Sequence, residues 1–388
     1  MKRKIAGILL AGLLAFSSVG CTQIEGKVDT SSGSSSGVSG NQSTSSQSKE
    51  PQGEATVTPT PTESVEERIP VSIPEKEGMQ ADYTSVDGIS LEAGSYLAVV
   101  AKDLSTSYWK AVKKGAQQAL NDLNASLGYT GEDKITMTFE GSSDPSDAED
   151  QSNTIDVVIS ENPAAVCLGI IDMQTCKTQL EMAKENGIPV IIVDSGVDSD
   201  LYDVFCGIDN RAAGAEAARK LCEAIGDSGQ IAIVSHQSTT QTSIERIEGF
   251  TNEIAQNHPN VSIVQTCYSD GEEELETQIE GLYQQYPQLQ GIFSTNQQVS
   301  DTLVELQEAQ EQPVKMVGFD YSEEQQSAIE SGLEYGTISQ NPYSMGYAMI
   351  VAAARAAAEL PVDAFVDAGY QWMDQSNVAA DEMEIYRY

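Results

Sequence analysis

From Ser95 onward, apolar and polar positions follow two alternating periods. Tyr96-Leu97-Ala98-Val99-Val100-Ala101 is a short apolar run of strand length. Val112, Gly115-Ala116, Ala119-Leu120 and Leu123 then recur at spacings of three and four, the period of an amphipathic helix. The alternation repeats. It predicts further strands over 135–139, 165–171, 188–194, 230–235, 261–267, 291–295, 314–320 and 336–340. Between and after them it predicts helices over 147–160, 173–186, 210–225, 240–256, 272–286, 298–309, 322–331 and 342–359. Ile188-Pro189-Val190-Ile191-Ile192-Val193 is unbroken apolar sequence, as expected of a strand buried on both faces of a parallel sheet. One small sheet cannot take up so many strand–helix units. The pattern predicts an α/β protein of two doubly wound parallel-sheet lobes.

The chain before residue 94 follows neither period. Lys2, Arg3 and Lys4 precede an apolar stretch, Ile5 to Phe16, then small residues and Cys21. A charged start, a short apolar segment and small residues at the cut make residues 1–20 a secretory signal peptide. Cys21 after Val19-Gly20 resembles the lipobox of bacterial lipoproteins, with Ser18 where Leu is usual. That resemblance implies lipidation at Cys21 and a membrane anchor. Residues 21–93 contain Ser31-Ser32-Gly33-Ser34-Ser35-Ser36-Gly37 and Thr58-Pro59-Thr60-Pro61-Thr62, and are read as a lipid-anchored disordered linker. Its end-to-end distance would be roughly 45–50 Å.

Charge removes whole classes of function. The 388 residues hold 59 acidic and 21 basic side chains, a formal −38, so a phosphate-binding basic patch is lacking and nucleic acid is excluded as a partner. Only His236 and His258 occur, which argues against a His-triad hydrolase or a multi-His metal centre; no metal and no cofactor is expected. After Cys21, the cysteines are 167, 176, 206, 222 and 267, an odd number without a C-x-x-C pair, read as buried structural thiols.

In such sheets, ligands bind beyond the carboxyl ends of the strands. The residues there are polar and varied: Asp103, Ser105, Thr106, Tyr108, Trp109, Asp172, Asp194, Ser195, His236 to Thr240, Asn296, Gln297, Asp320, Gln340 and Asn341. No G-x-G-x-x-G or G-x-x-x-x-G-K-[ST] occurs, and no G-x-S-x-G stands as a nucleophile elbow between a strand and a helix. Carboxylates and carboxamides suit a neutral, hydroxyl-rich ligand, since a sugar hydroxyl donates to Asp and accepts from Asn, Gln or Arg. Tyr108 and Trp109 offer aromatic platforms for the C–H face of a pyranose. The alternatives are helix capping for the strand-end Asp and Asn residues and core packing for the two aromatics.

Several motifs carry a resemblance. They are Ser107-Tyr108-Trp109-Lys110-Ala111-Val112 after the first strand, Ile188-Pro189-Val190-Ile191-Ile192-Val193-Asp194, Gly207-Ile208-Asp209-Asn210 with Ala213-Gly214, Glu245-Arg246-Ile247-Glu248-Gly249-Phe250, Phe293-Ser294-Thr295-Asn296, Val317-Gly318-Phe319-Asp320, and Thr337-Ile338-Ser339-Gln340-Asn341-Pro342. In this order they resemble type I periplasmic binding proteins, the ribose- and galactose-binding branch of ABC importer receptors, over residues 94–375. The resemblance implies ligand contacts at Tyr108, Trp109, Asp194, Arg246, Asn296, Asp320 and Gln340, with Thr106, Ser195 and Asp172 as further candidates. Ser195 stands where ribose-type members carry Arg, so the ligand would not be held as ribose is. The resemblance also implies three crossings between lobes, one hinged near Asp209. The N-terminal lobe would be 94–208 plus 341–370 and the C-terminal lobe 209–340 plus 371–388.

The expected function is a non-enzymatic, monomeric, lipid-anchored receptor on the extracytoplasmic face of the cell membrane, delivering a monosaccharide or similar solute to an ABC permease. Two alternatives keep the fold: a sensor for a membrane histidine kinase or chemoreceptor, and a receptor for a nucleoside or signalling furanose. A repressor of the lactose-repressor type would need a DNA-binding segment where the signal peptide stands, and a glycosidase would need a carboxylate pair such as Asp194 and Asp320 to act on a bond.

Overall fold

The structure is a computed structural model; it describes residues 68–142, 144 and 146–388. The expected signal peptide, Cys21 and the expected linker up to residue 67 lie outside the described residues. From residue 96 the chain runs β1 (Tyr96–Ala101), α1 (Ser107–Leu127), β2 (Thr136–Gly141), α2 (Ala148–Ser160), β3 (Ala165–Leu168), α3 (Lys177–Glu185), β4 (Val190–Val193), β5 (Val204–Gly207) and α4 (Asn210–Ile225). It continues through β6 (Gly229–Ser235), α5 (Gln241–Asn257), β7 (Val261–Tyr268), α6 (Leu275–Gln285), β8 (Leu289–Ser294), α7 (Gln297–Glu308), β9 (Lys315–Phe319), α8 (Glu323–Ser331) and β10 (Gly336–Gln340). Last come α9 (Pro342–Ala357), β11 (Phe365–Asp367), β12 (Tyr370–Asp374) and a 3-10 turn, Asp381–Tyr386.

Two six-stranded sheets form, in the orders β11-β5-β4-β3-β1-β2 and β12-β10-β9-β8-β6-β7. Every pairing is parallel except β10 with β12. The α/β, doubly wound architecture is therefore present twice, with one strand order repeated in both lobes. The chain passes from the first sheet to the second between β5 and α4, and again between β11 and β12; α9, after β10, returns to pack on α1. Three strands escape the periodicity: β5 is four residues long, and β11 and β12 are short segments whose sheet membership is set only by distant partners.

The helix starts follow their caps. Thr106 Oγ1 accepts from the Trp109 N–H at 3.4 Å, Asp209 from Ala212 at 2.9 Å, Asn296 from Val299 at 3.1 Å and Asn341 from Ser344 at 3.1 Å. Asp209, the expected hinge residue, is thus the cap of α4. The helix pairs α1/α9 and α4/α5 cross at glycines. A Cβ on Gly214 would lie 2.1 Å from the Arg246 carbonyl oxygen, and one on Gly249 2.0 Å from that of Arg211. Glycine at both positions lets α4 and α5 touch backbone to backbone and fixes where Arg246 starts.

The linker expectation is wrong over 68–93. Ile73, Tyr83, Val86, Ile89 and Leu91 are buried in the main core. The Tyr83 hydroxyl donates to Asp363 Oδ2 at 3.1 Å and accepts from the Asp363 N–H at 2.7 Å, and Lys76 pairs with Asp367 at 2.8 Å. Averaged composition hid an apolar string within the last part of that segment, and this string wraps the first lobe. Among the described residues, no helix is long and apolar enough to cross a membrane. The five cysteines from 167 to 267 are buried free thiols.

Candidate functional site

The carboxyl ends of the two sheets face each other across a cleft. β4 and β9 occupy the same place in their respective sheets, and each is followed at once by an aspartate in left-handed backbone: Asp194 at φ 63° and Asp320 at φ 69°. The Asp194 N–H donates to the Cys206 carbonyl at 2.9 Å, and the Asp320 N–H to that of Ile338 at 2.8 Å, in each case on the next strand of the sheet. Both are buried. Aspartate tolerates this backbone region better than most residues. Neither is the N-cap of the helix that follows it, and both carboxylates line the cleft.

Each lobe supplies its aspartate with a cation. In the first, Lys102 Nζ lies 3.3 Å from Asp194 Oδ2, and the Tyr108 hydroxyl donates to Asp194 Oδ1 at 2.9 Å. In the second, Arg246 lines the same cavity as Asp320. Its Nε donates to Asn210 Oδ1 at 2.9 Å and its Nη1 to the Thr295 carbonyl at 2.7 Å, while the guanidinium stacks 3.6 Å above the Phe319 ring. Asp320 Oδ1 accepts from Gln340 Nε2 at 2.7 Å and from the Tyr388 hydroxyl at 3.3 Å; Oδ2 accepts from the Gln297 N–H at 3.1 Å. Burial pushes the Asp320 carboxyl above its ordinary range, opposed by the Arg246 charge. His236, between Thr295 (2.8 Å) and Thr242 (2.9 Å), is held well below the ordinary histidine range by burial and by Lys102 and Arg246, so it is neutral at pH 7.

Of the residues singled out from sequence, Thr106, Tyr108, Trp109, Asp194, Arg246, Asn296 and Asp320 line one cavity. Gln340 stands behind it and acts through Asp320. Ser195 and Asp172 do not line the cavity. Ser195 is fully buried below the strand end, and Asp172 Oδ1 accepts from the Gln174 N–H at 2.8 Å within its own turn. Asn296 and Thr106 spend one side-chain oxygen each on capping, so the capping alternative and the cleft position hold together for them. Trp109 likewise does both: it is 4% exposed and lines the cavity, while its ring rests on Gly169.

Sequence reasoning missed Lys102, Thr242, Gln298 and Tyr388, and read Asp103, His236, Gln237 and Gln297 as strand-end polar residues without placing them in the site, where all four line the cavity. Lys102 directly follows β1, so the strand-end rule applied one residue earlier would have found it. Tyr388 carries no such signal. The 3-10 turn brings it back, tied by a hydrogen bond from Ser339 Oγ to the Tyr386 carbonyl at 2.7 Å. Its ring meets Tyr108 edge-on at 5.8 Å.

The lobes are closed on each other. Ser107 Oγ donates to Gln297 Oε1 at 2.9 Å, Thr240 Oγ1 to the Ile171 carbonyl at 2.6 Å, the Met173 N–H to the Thr239 carbonyl at 3.1 Å, and the Gly196 N–H to Gln241 Oε1. About 50 Å³ of space remains inside, room for on the order of four waters.

Beside the cleft, burial pushes the Asp301 carboxyl up to about 6, although Ser322 Oγ donates to it at 2.5 Å. The folded state holds this proton more tightly than the unfolded chain, whose ordinary value is 3.8. Its contribution to stability is complete below about pH 4 and is lost as pH rises through about 6. Asp301→Asn should therefore raise the melting temperature at pH 7 by about 2–4 °C. The gain should vanish near pH 4 in melting curves taken at both pH values; an equal gain at both would refute the assignment.

Comparison with known proteins agrees with this geometry. The profile of the periplasmic binding protein domain family matches residues 97–360. The D-apiose import binding protein of Actinobacillus succinogenes is 27% identical over 259 residues, covering 64% of this chain and 79% of the relative. The ribose import binding protein of Haemophilus influenzae is 24% identical over 280 residues, 71% of this chain and 91% of the relative. Among solved structures, an ABC transporter solute binding protein from Agrobacterium vitis with bound D-fucose superposes with a TM-score of 0.69 at 26% identity, covering 76% of this chain and 100% of that one. A carbohydrate transporter solute binding protein from Agrobacterium radiobacter in complex with D-arabinose gives a TM-score of 0.70 at 24% identity, 76% and 99%, a likeness of fold.

Proposed function

The chain belongs to the periplasmic binding protein domain family, and from that premise we propose that it is the sugar-binding receptor of an ABC importer, working outside the cytoplasm and without enzymatic activity. The observation that carries this reading is the pair of aspartates, one per lobe, at equivalent strand ends, with Lys102 3.3 Å from Asp194 and Arg246 lining the cavity together with Asp320. Three carboxylates, Asp103, Asp194 and Asp320, and two cations, Lys102 and Arg246, line the cavity, a balance that disfavours a phosphate or a carboxylate and suits an uncharged polyol. Fixed acceptors on both walls bind hydroxyls that face opposite ways, so a pyranose or furanose bridges the lobes and its binding favours closure. Trp109 and Tyr108 supply the apolar wall. Tyr108, Trp109, Asp194, Arg246, Asn296 and Asp320 are proposed as ligand contacts, with Lys102 and Gln340 holding the two carboxylates. The N-terminal lobe would comprise 94–208 and 341–370, joined by the strap at 68–93.

A thermal-shift screen against pentoses, hexoses, their 6-deoxy forms, nucleosides and organic acids tests the reading. A ligand at a hundred times its dissociation constant adds about 2.7 kcal/mol of stability. A shift with a neutral monosaccharide supports the proposal; a shift only with acids or nucleosides overturns it.

We further propose that Cys21 carries a lipid that tethers the body through the residues before 68. Cys21→Ser should move the protein from the detergent phase to the aqueous phase, and equal partitioning of mutant and wild type would refute the anchor.

A further inference from the structure

At the end of the second lobe remote from the cleft, the C-termini of α4 and α5 converge. Cys222 lies on the last turns of α4, Asp227 follows it at φ 57°, and His258 ends α5. The Cys222 thiol, an Asp227 carboxylate oxygen and a His258 ring nitrogen lie within 4.8 Å of one another. Among the described residues no other group of three or more Cys, His, Asp and Glu side chains gathers in this way. The site is separated from the cleft by the length of β6, which starts beside it at Gly229 and ends under the cleft at Ser235, about 20 Å away.

His258 leaves one ring nitrogen without a hydrogen bond. Its Nδ1 is 2.8 Å from Asp227 Oδ1. Its Nε2 is buried, has no hydrogen-bond partner and faces Glu253 Oε1 at 3.7 Å. A neutral imidazole carries one N–H. If that proton is on Nδ1, a bare lone pair at Nε2 looks at a carboxylate. If it is on Nε2, a bare lone pair at Nδ1 presses on Asp227. In either case one lone pair faces a carboxylate oxygen, and two helix C-termini point their negative ends at the same place.

We propose that this is a binding site for one borderline divalent metal ion such as Zn²⁺, held by Cys222 Sγ, Asp227 and His258 Nδ1, with Nε2–H then donating to Glu253. The donor set is the mixed sulfur, nitrogen and oxygen type that Zn²⁺ takes, with three protein ligands and one position left to water. The outer carboxylate on the second ring nitrogen is the usual orienting partner of a metal-bound histidine. Burial and the nearby Asp227 and Glu253 charges hold the Cys222 thiol up at about 12, so metal binding must release its proton to solvent, and affinity rises with pH. Two histidines in the whole chain argue against a multi-histidine centre but not against this one. The ion would staple the ends of α4 and α5.

The full chain, stripped with chelator, should be titrated with Co²⁺ alone. One equivalent should give thiolate-to-cobalt charge-transfer absorption and tetrahedral bands, both abolished by competing Zn²⁺. Cys222→Ser should lose the charge-transfer absorption. Asp227→Asn and His258→Gln should each weaken Zn²⁺ binding at least tenfold. The melting temperature of each variant in chelator reports its folding, and the exposed Asp227→Asn decides the matter if the buried variant folds poorly. Absence of the band in wild type, its survival in Cys222→Ser, or wild-type Zn²⁺ affinity in folded Asp227→Asn would overturn the site.

Discussion

Asp320→Ala should weaken binding of the best monosaccharide at least about thirtyfold, the largest polar effect expected from a single side chain. The carboxylate is buried and collects Gln340, Gln297, Tyr388 and the field of Arg246. Removing one charged partner of such a buried group typically costs about 2–5 kcal/mol, much of it from the charge left behind. Here that charge is Arg246, which keeps Asn210, the Thr295 carbonyl and the Phe319 face, so the lobe stays folded. Asp320→Asn separates charge from shape. Asparagine tolerates the left-handed backbone and preserves the volume, so any large loss belongs to the charge. Acidification should act in the same direction. Burial raises this carboxyl, and as pH falls through its value the acceptor becomes neutral and the sugar loses an ionic hydrogen bond. Calorimetric titration of wild type and both variants at pH 7 and pH 5 measures all of this. Near-wild-type affinity in Asp320→Ala would remove Asp320 from the site, whatever sugar is used.

The contrast between the two walls of the cleft shows what a sequence can disclose. Asp194 and Asp320 stand directly after apolar runs, where a doubly wound sheet must present its ligand residues, so period and position suffice to find them. The helices were legible for the same reason: α4 begins and ends at its expected bounds, because Asp209 caps it and Gly226 at φ 75° stops it. Arg246 has no such mark, since it lies inside α5, and its place depends on the Gly214 and Gly249 crossing that slides α5 against α4. It came only with the family resemblance. Tyr388 is beyond local reasoning altogether, because its distance from Asp320 is decided by the return of the chain after β12. The strap at 68–93 was misread for a related reason. Its apolar residues are spaced without either period, since they pack as coil against a surface that the rest of the chain creates.

Trp109→Ala should lower both the affinity for the sugar and the stability of the apo protein. Packing and binding were competing explanations for this residue, and the geometry joins them. The indole is 4% exposed and lines the cavity, with Tyr108 edge-on at 5.7 Å. Truncation removes a large apolar contact from core and ligand alike, costing about 3–5 kcal/mol of stability and roughly 2–4 kcal/mol of binding. A loss of both quantities cannot by itself prove contact with the ligand, because a sagging helix α1 would carry Tyr108 away as well. Gly169→Ala supplies the separation. A Cβ there would sit 2.6 Å from Trp109 Cη2, so the indole must shift while no atom is lost from the core. If the ring stacks on the sugar, this variant should melt within a few degrees of wild type yet bind at least tenfold more weakly. The ligand-induced change in Trp109 emission should be altered too, and measuring it in a Trp372→Phe background isolates the signal. Wild-type affinity in Gly169→Ala, with the indole displaced, would reduce Trp109 to a packing residue and leave Tyr108 as the apolar wall.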